Sequence, residues 1–274
     1  MNHDVHEPAP LPKARPVFAR PGGKTRMLQY ILPLIPAHTC YCEPFFGGGA
    51  VFFGRPAQSA HEVINDIDSD LVKFLLNAKY HLDPLLDEMD LVLNARETFR
   101  DYKEQRGLTE IQRAARWFIK NKLSFGGMGG TFAVGRTHSL TSRSQRLLNI
   151  RSMSHRLDKT TIENETWEKI FELYDAPATF FFLDPPYFDS GGAAYAGWSR
   201  EQLATFCDAV KALQGSWMVT FQDCAEIREL LAGYPIQSIE RPNGIGNNAG
   251  KKGRVYHEVI ITSAALFSVK KARK

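Results

Sequence analysis

The apolar run Phe180-Phe181-Phe182-Leu183 leads directly into Asp184-Pro185-Pro186-Tyr187. A short apolar run that stops at turn residues reads as a buried strand, here Thr179 to Leu183. The prolines end it, because proline gives a ladder no donor and fixes its own backbone angle. The segment therefore presents a carboxylate, a stiff carbonyl-bearing turn and an aromatic ring at one end of a sheet. In open α/β sheets ligands bind at the carboxyl ends of the strands. Asp184 and the Pro185 carbonyl can together accept both hydrogens of an exocyclic amine on a planar ring, while Tyr187 stacks on that ring. Asp184, Pro185, Pro186 and Tyr187 are thus the expected catalytic residues. Taken alone, the tetrapeptide also fits a plain turn with Asp184 as a turn residue.

The surrounding chain decides between these. Thr39 to Glu43 reads as a strand, Ala50 to Phe53 as the start of a helix, Glu62 to Asn65 as a second strand and Asp68 to Tyr80 as a helix. Strand, glycine turn, helix, strand is the first half of a doubly wound sheet. The rhythm resumes with strands at Thr179 to Leu183 and Ser216 to Phe221 and helices at Arg200 to Leu213 and Ala225 to Leu231. Tyr256 to Thr262 is expected to pair with Ile236 to Arg241 as a late hairpin. Between these halves the period is helical over Leu82 to Arg106, Glu110 to Leu123 and Ser142 to Leu157, interrupted by a glycine-rich loop or hairpin from Ser124 to Gly135.

The glycine turn Glu43-Pro44-Phe45-Phe46-Gly47-Gly48-Gly49-Ala50 lets a ligand approach the backbone. Asp66 follows Gly47 by nineteen residues, at the end of the next strand, where an acid can hold two ribose hydroxyls. The nicotinamide-cofactor spacing fails, because Phe52 stands where the third glycine belongs, and no Lys-Ser/Thr of a P-loop is present. A glycine turn beside the acid Glu43 suits a cationic cofactor such as S-adenosyl-L-methionine. Arg20-Pro21-Gly22-Gly23-Lys24 can bring backbone and ammonium to a carboxylate, such as the methionine end of that cofactor; a plain turn before a helix fits it equally.

Charge is unevenly placed. From Arg113 to Lys159 ten Lys or Arg face the single acid Asp158, a balance of +9 in a chain of net charge +4, so the remainder is −5. A block that basic suits a polyanion. The four cysteines make no C-x-x-C pair and have no metal-ligand spacing, so no metal and a reducing compartment are expected. The first 16 residues hold Asp4, Glu7 and four prolines without an apolar core, so no signal peptide, no membrane and a cytoplasmic location are expected. Disordered tails are expected at 1–16 and 266–274.

In order, Gly22-Gly23-Lys24, Glu43-Pro44-Phe45-Phe46-Gly47-Gly48-Gly49, Asn65-Asp66-Ile67-Asp68, the basic block and Asp184-Pro185-Pro186-Tyr187 resemble the Dam-like, D12 class DNA adenine-N6 methyltransferases over about residues 17 to 263. The resemblance implies an α/β fold: a Rossmann-like, S-adenosylmethionine-dependent methyltransferase sheet with helices on both faces, plus an inserted, mainly helical target-recognition domain. The catalytic domain would comprise 17–80 and 161–265, and the insertion 81–160. It implies cofactor contacts among Arg20, Gly23, Lys24, Glu43, Phe45, Phe46, Gly47, Gly49, Asp66, Ile67, Asp184 and Tyr195. Asn121, Lys122 and Phe125, in the stretch resembling the family's DNA-facing hairpin, and Arg136, Arg143 and Arg146 would face DNA. The expected partners are double-stranded DNA and, as a companion, a cognate restriction endonuclease; bacteria or phages would be the source. Two positions depart from the family. Arg20 stands where an aromatic is usual, and Gly130 where GATC-reading relatives carry an arginine, which argues against a GATC target. Cytosine N4 methylation, RNA as substrate and a DNA-binding module with an inactive site remain alternatives at this level.

Overall fold

A computed structural model describes residues 11–56, 58–90, 96–132, 142–187, 197–242 and 255–263. Along the chain, a 3₁₀ turn Lys24–Met27 leads into α1 (Leu28–Ile31), β1 (Cys40–Glu43), α2 (Ala50–Gly54), β2 (His61–Asn65) and α3 (Ser69–Tyr80). Then come α4 (Leu82–Asp90), α5 (Arg96–Glu104), α6 (Glu110–Leu123) and α7 (Arg143–Leu157). β3 (Thr160–Glu163), α8 (Trp167–Tyr174), β4 (Thr179–Leu183), α9 (Arg200–Ala212), β5 (Ser216–Gln222), α10 (Ala225–Leu230), β6 (Ile236–Pro242) and β7 (Val255–Thr262) complete it. These elements form two compact units. A helical unit comprises Met1–Gly23, Gly48–Gly54 and Ser69–Lys159; a sheet unit comprises Lys24–Gly47, Arg55–Asp68 and Thr160–Lys274.

In the sheet unit seven strands run in the order β3-β2-β1-β4-β5-β7-β6. All pairings are parallel except β5 with β7 and β6 with β7. From β1 the chain winds outward through β2 to β3; from β4 it winds the other way, so the order reverses between β1 and β4. The crevice at such a reversal is where a doubly wound sheet binds ligands. β4 lies between two parallel neighbours and all five of its residues are buried, which is why it is apolar from Phe180 to Leu183.

Alternation along the strands divides the unit. Cys42, Val63, Phe181, Leu183, Trp217, Val219, Phe221, Val259 and Ile261 point to one face, where Ile170 and Phe171 of α8, Leu203, Phe206, Cys207 and Val210 of α9 and Ile227 of α10 bury them. The opposite face carries Tyr41, Phe180 and Phe182 and, unusually for a sheet interior, the buried acids Glu43, Glu62 and Glu258.

The helical unit has its own aromatic core. Phe74 of α3 stacks on Phe118 of α6 at 5.0 Å, and Phe18 packs edge-on against Phe74 and Trp117. α6 begins at a capping box in which Thr109 accepts from the Gln112 N–H and Gln112 reaches back to the Thr109 N–H. Ser142 caps α7 by accepting from the Gln145 N–H.

The late hairpin forms as read from the sequence. Two elements were not anticipated. β3 is a short edge strand, Thr-Thr-Ile-Glu, too polar to stand out, and α8 follows it. Within the helical stretch expected over Leu82 to Arg106, Leu82–Asp90 and Arg96–Glu104 are helical, and residues 91–95 lie outside the described residues.

Candidate active site

Asp184 is the residue after β4, at the carboxyl end of the sheet beside the reversal point. Lys24, from the 3₁₀ turn, places Nζ 2.8 Å from Asp184 Oδ1 and is only 3% exposed. Thr220 of β5 donates its hydroxyl to the same oxygen at 2.9 Å. Among the described residues both of these contacts fall on Oδ1. Burial pushes the Asp184 carboxyl above the usual carboxylate range; Lys24 and Thr220 oppose that shift and Glu258 adds to it. Asp184 is therefore a carboxyl with more than ordinary proton affinity.

Tyr187 is held at several points. Its hydroxyl donates to Glu258 Oε1 at 2.9 Å, its ring tilts against Phe221 with centroids 5.1 Å apart, and Lys24 Nζ lies 5.1 Å from its centroid. Pro185, between acid and ring, is buried.

At the ends of β1 and β2 the loops are tied together. Asp66 Oδ2 accepts from the Gly47 N–H at 2.8 Å, and Oδ1 accepts from the Asp68 N–H at 2.9 Å. Gly47 has φ of 51°, a conformation that favours glycine, and a Cβ there would meet nothing within 4 Å. Ile67, the next residue, is 72% exposed, an apolar side chain held out at the rim. Asn65 is buried; its Nδ2 donates to the Pro44 and Glu165 carbonyls at 2.9 and 3.0 Å, and its Oδ1 accepts from the Glu165 N–H at 2.8 Å. Glu43 is buried and accepts from the Tyr41 hydroxyl at 2.7 Å; Arg55 lies over the Tyr41 ring and pairs with Glu62. Phe46 is buried, whereas Phe45 is half-buried against Trp198 and Phe206.

The sheet unit thus brings together Lys24, Asp184, Pro185, Pro186 and Tyr187, and ties Gly47 to Asp66 beside Ile67. Lys24 engages Asp184 itself. Arg20, Gly23 and Gly49 belong to the helical unit, where the Arg20 guanidinium lies 5.5 Å from the centroid of Trp117. Tyr195, Arg136 and the Phe125 side chain lie outside the described residues.

Of the residues expected at DNA, Asn121 is buried in the helical unit. Its Oδ1 accepts from the Ala19 N–H at 3.0 Å, and its Nδ2 donates to the Ala19 and Gly127 carbonyls at 2.8 and 2.7 Å. Those bonds shape the turn after α6 instead of facing a ligand. Lys122 and Arg146 stand in a cationic cluster: burial, then Arg146 and Arg15, hold the Lys122 ammonium below its usual range, and burial and Arg143 do the same to Arg146. Arg143 is exposed and paired with Asp90.

Thr220, Glu258 and Asn65 were not singled out from the sequence. Asn65 lies inside a motif that was, and Glu258 is an acid within the otherwise apolar end of its strand; that misfit was the available signal. Among the described residues no group of His, Cys, Asp and Glu could hold a metal, and no helix is long and apolar enough to cross a membrane.

The chain is similar over most of its length to proteins of established name. The type II methyltransferase M1.LlaDCHI of Lactococcus lactis subsp. cremoris is 27% identical, over 91% of this chain and 95% of that protein. The type II methyltransferase M.CviBI of Paramecium bursaria Chlorella virus NC1A is 26% identical, over 87% and 95%. The DNA adenine methylase of Haemophilus influenzae is 22% identical, over 93% and 96%. The family model for D12 class N6 adenine-specific DNA methyltransferases matches residues 21–245, a span that holds Lys24, Asp66 and the Asp184–Tyr187 corner. With that corner at the reversal point of a seven-stranded sheet, the chain belongs to the D12 class N6 adenine-specific DNA methyltransferase family.

Proposed function

We propose that this chain methylates adenine N6 at a specific site in double-stranded DNA, using S-adenosyl-L-methionine, and that Asp184, Pro185, Pro186 and Tyr187 hold the flipped base. The observation that supports the reading is the clamp on Asp184: Lys24 and Thr220 both engage Oδ1, and the reading assigns Oδ2 to the amine.

The residues around the ends of β1 and β2 suit the donor. Asp66 is fixed by two backbone N–H groups, and each carboxylate oxygen can accept a further bond, as two ribose hydroxyls require. Exposed Ile67 offers an apolar surface to an adenine ring, Glu43 an acid to a cationic group, and Gly47 an open backbone. Phe45, Phe46, Gly49, Gly23, Arg20 and Tyr195 complete the expected set. S-adenosylmethionine, when bound, supplies an electrophilic methyl group on a sulfonium.

The amine of adenine is a weak nucleophile because its lone pair is delocalised into the ring. Asp184 Oδ2 and the Pro185 carbonyl accept its two hydrogens, which favours a pyramidal nitrogen and directs the lone pair away from the acid. Tyr187 stacks on the base, replacing part of the stacking lost when it leaves the duplex, a cost of a few kcal/mol. This is positioning and electrostatic preorganisation, without a covalent enzyme intermediate. The segment 81–160 acts as the target-recognition insertion, with Lys122, Arg136, Arg143 and Arg146 on phosphates and Phe125 at the hairpin. The protein works in the cytoplasm, with a restriction endonuclease as its companion.

The test is to express the chain in a host lacking adenine methylation and to sequence the DNA with modified-base detection. N6-methyladenine in one recurring sequence context, absent with Asp184→Ala, is expected. N4-methylcytosine in its place, or no modified base, refutes the proposal.

A further inference from the structure

Glu258 is 2% exposed in the middle of β7, followed by Val259, Ile260 and Ile261. A buried carboxylate costs stability that an apolar residue of similar size would not, so its presence asks for a reason. Its surroundings supply one. Glu258 Oε1 accepts from the Tyr187 hydroxyl at 2.9 Å and lies 4.0 Å from Lys24 Nζ. The same ammonium is 2.8 Å from Asp184 and 5.1 Å from the centre of the Tyr187 ring. Lys24 therefore stands between two carboxylates, with the aromatic ring against it.

We propose that Glu258 is a positioning residue for methyl transfer, fixing the Tyr187 ring through its hydroxyl and the Asp184 carboxylate through the shared Lys24 ammonium. This rests on the reading that Asp184 and Tyr187 hold the target base. The two contacts do different things. The hydroxyl bond stops the ring from swinging away from the base. The negative charge on Glu258 offsets the pull of Lys24 on Asp184, so the acid remains a strong acceptor. Among the described residues, the charged groups that bear on Asp184 are Lys24 from the 3₁₀ turn and Glu258 from β7, with the neutral Thr220 on β5.

Two variants separate these contacts. Glu258→Gln keeps an oxygen for the Tyr187 hydroxyl but removes the charge. Tyr187→Phe removes the hydroxyl bond and leaves every buried charge in place. Single-turnover methylation of duplex DNA is measured against pH, with melting temperature and DNA and donor affinities alongside. In Glu258→Gln the acidic limb moves to lower pH, because a negative charge that raised the Asp184 pKa is gone. In Tyr187→Phe the limb stays and the plateau rate falls about 10- to 100-fold, the range for a buried hydrogen bond to a charged group. Affinities change little in both. An unmoved limb in folded Glu258→Gln, or a wild-type rate in Tyr187→Phe, overturns the corresponding half. If Glu258→Gln does not fold, Tyr187→Phe still decides the hydroxyl contact, and Glu258→Asp, which retains the charge, decides the other: its limb must stay at the wild-type position. Asp184→Ala, run in parallel, separates the failures. If it is inactive while both variants behave as wild type, only the role of Glu258 falls; if it is active, the base-holding reading falls first.

Discussion

Lys24 is the residue on which the acid corner depends. It is buried, and among the described residues it is the cation paired with both the Asp184 and Glu258 carboxylates. Lys24→Met should cost about 3–5 kcal/mol of stability, the range for breaking a buried ion pair from one side, measured by denaturant unfolding. The pH dependence gives a second check. Burial holds the Asp184 pKa above its ordinary value near 4, and the ionised form accepts the amine. Activity should therefore rise with pH through a midpoint above the ordinary range, and Lys24→Met should move that midpoint higher still. Asp184 and Asp66 were legible in the sequence because each sits in a short motif whose neighbours state its place. Thr220 and Glu258 were not, because they reach Asp184 and Tyr187 from 36 and 71 residues away. Asn121 illustrates the opposite case: a polar residue in a suggestive motif whose hydrogen bonds all turn inward.

At the scale of elements, the loops after β1, β2 and β3 are joined by a few side chains. Asn65 alone links the first and third through three hydrogen bonds. Asn65→Ala should strand the Pro44 and Glu165 backbone groups, destabilise the protein by about 1–3 kcal/mol and raise the KM for the methyl donor more than it lowers kcat. In the helical unit, Gly127 adopts φ of 75°, and a Cβ there would come within 2.8 Å of Asn121 Nδ2 and closer still to the Ala19 carbonyl. Gly127→Ala should lower the melting temperature, since a fixed carbonyl yields less readily than a side chain. Most elements were legible: β4 from its apolar run, α6 and α7 from their helical period. β3 was lost because an edge strand needs few apolar residues, and α8 because it is short, although Thr166 caps it by accepting from the Lys169 N–H.

Over the whole molecule, the alternation of strand, glycine turn and helix foretold the parallel core, and the Ile236 to Arg241 stretch foretold the antiparallel end. The strand order itself could not be read, because it follows from which side of β1 each crossover packs. The helical unit also takes in Gly48–Gly54. Charge follows this division: the basic block from Arg113 to Lys159 lies wholly in the helical unit. If that block engages phosphates, the logarithm of DNA affinity should fall linearly with the logarithm of salt, and Lys122→Gln should reduce the slope by about one. A slope unchanged in that variant would remove Lys122 from the interface. Methyl transfer itself is read by comparing purified wild-type and Asp184→Ala protein on duplex DNA, following N6-methyladenine by mass spectrometry and DNA retention by filter binding. In Asp184→Ala methylation should be lost while DNA is retained; methylation at the wild-type rate would remove Asp184 from the chemistry.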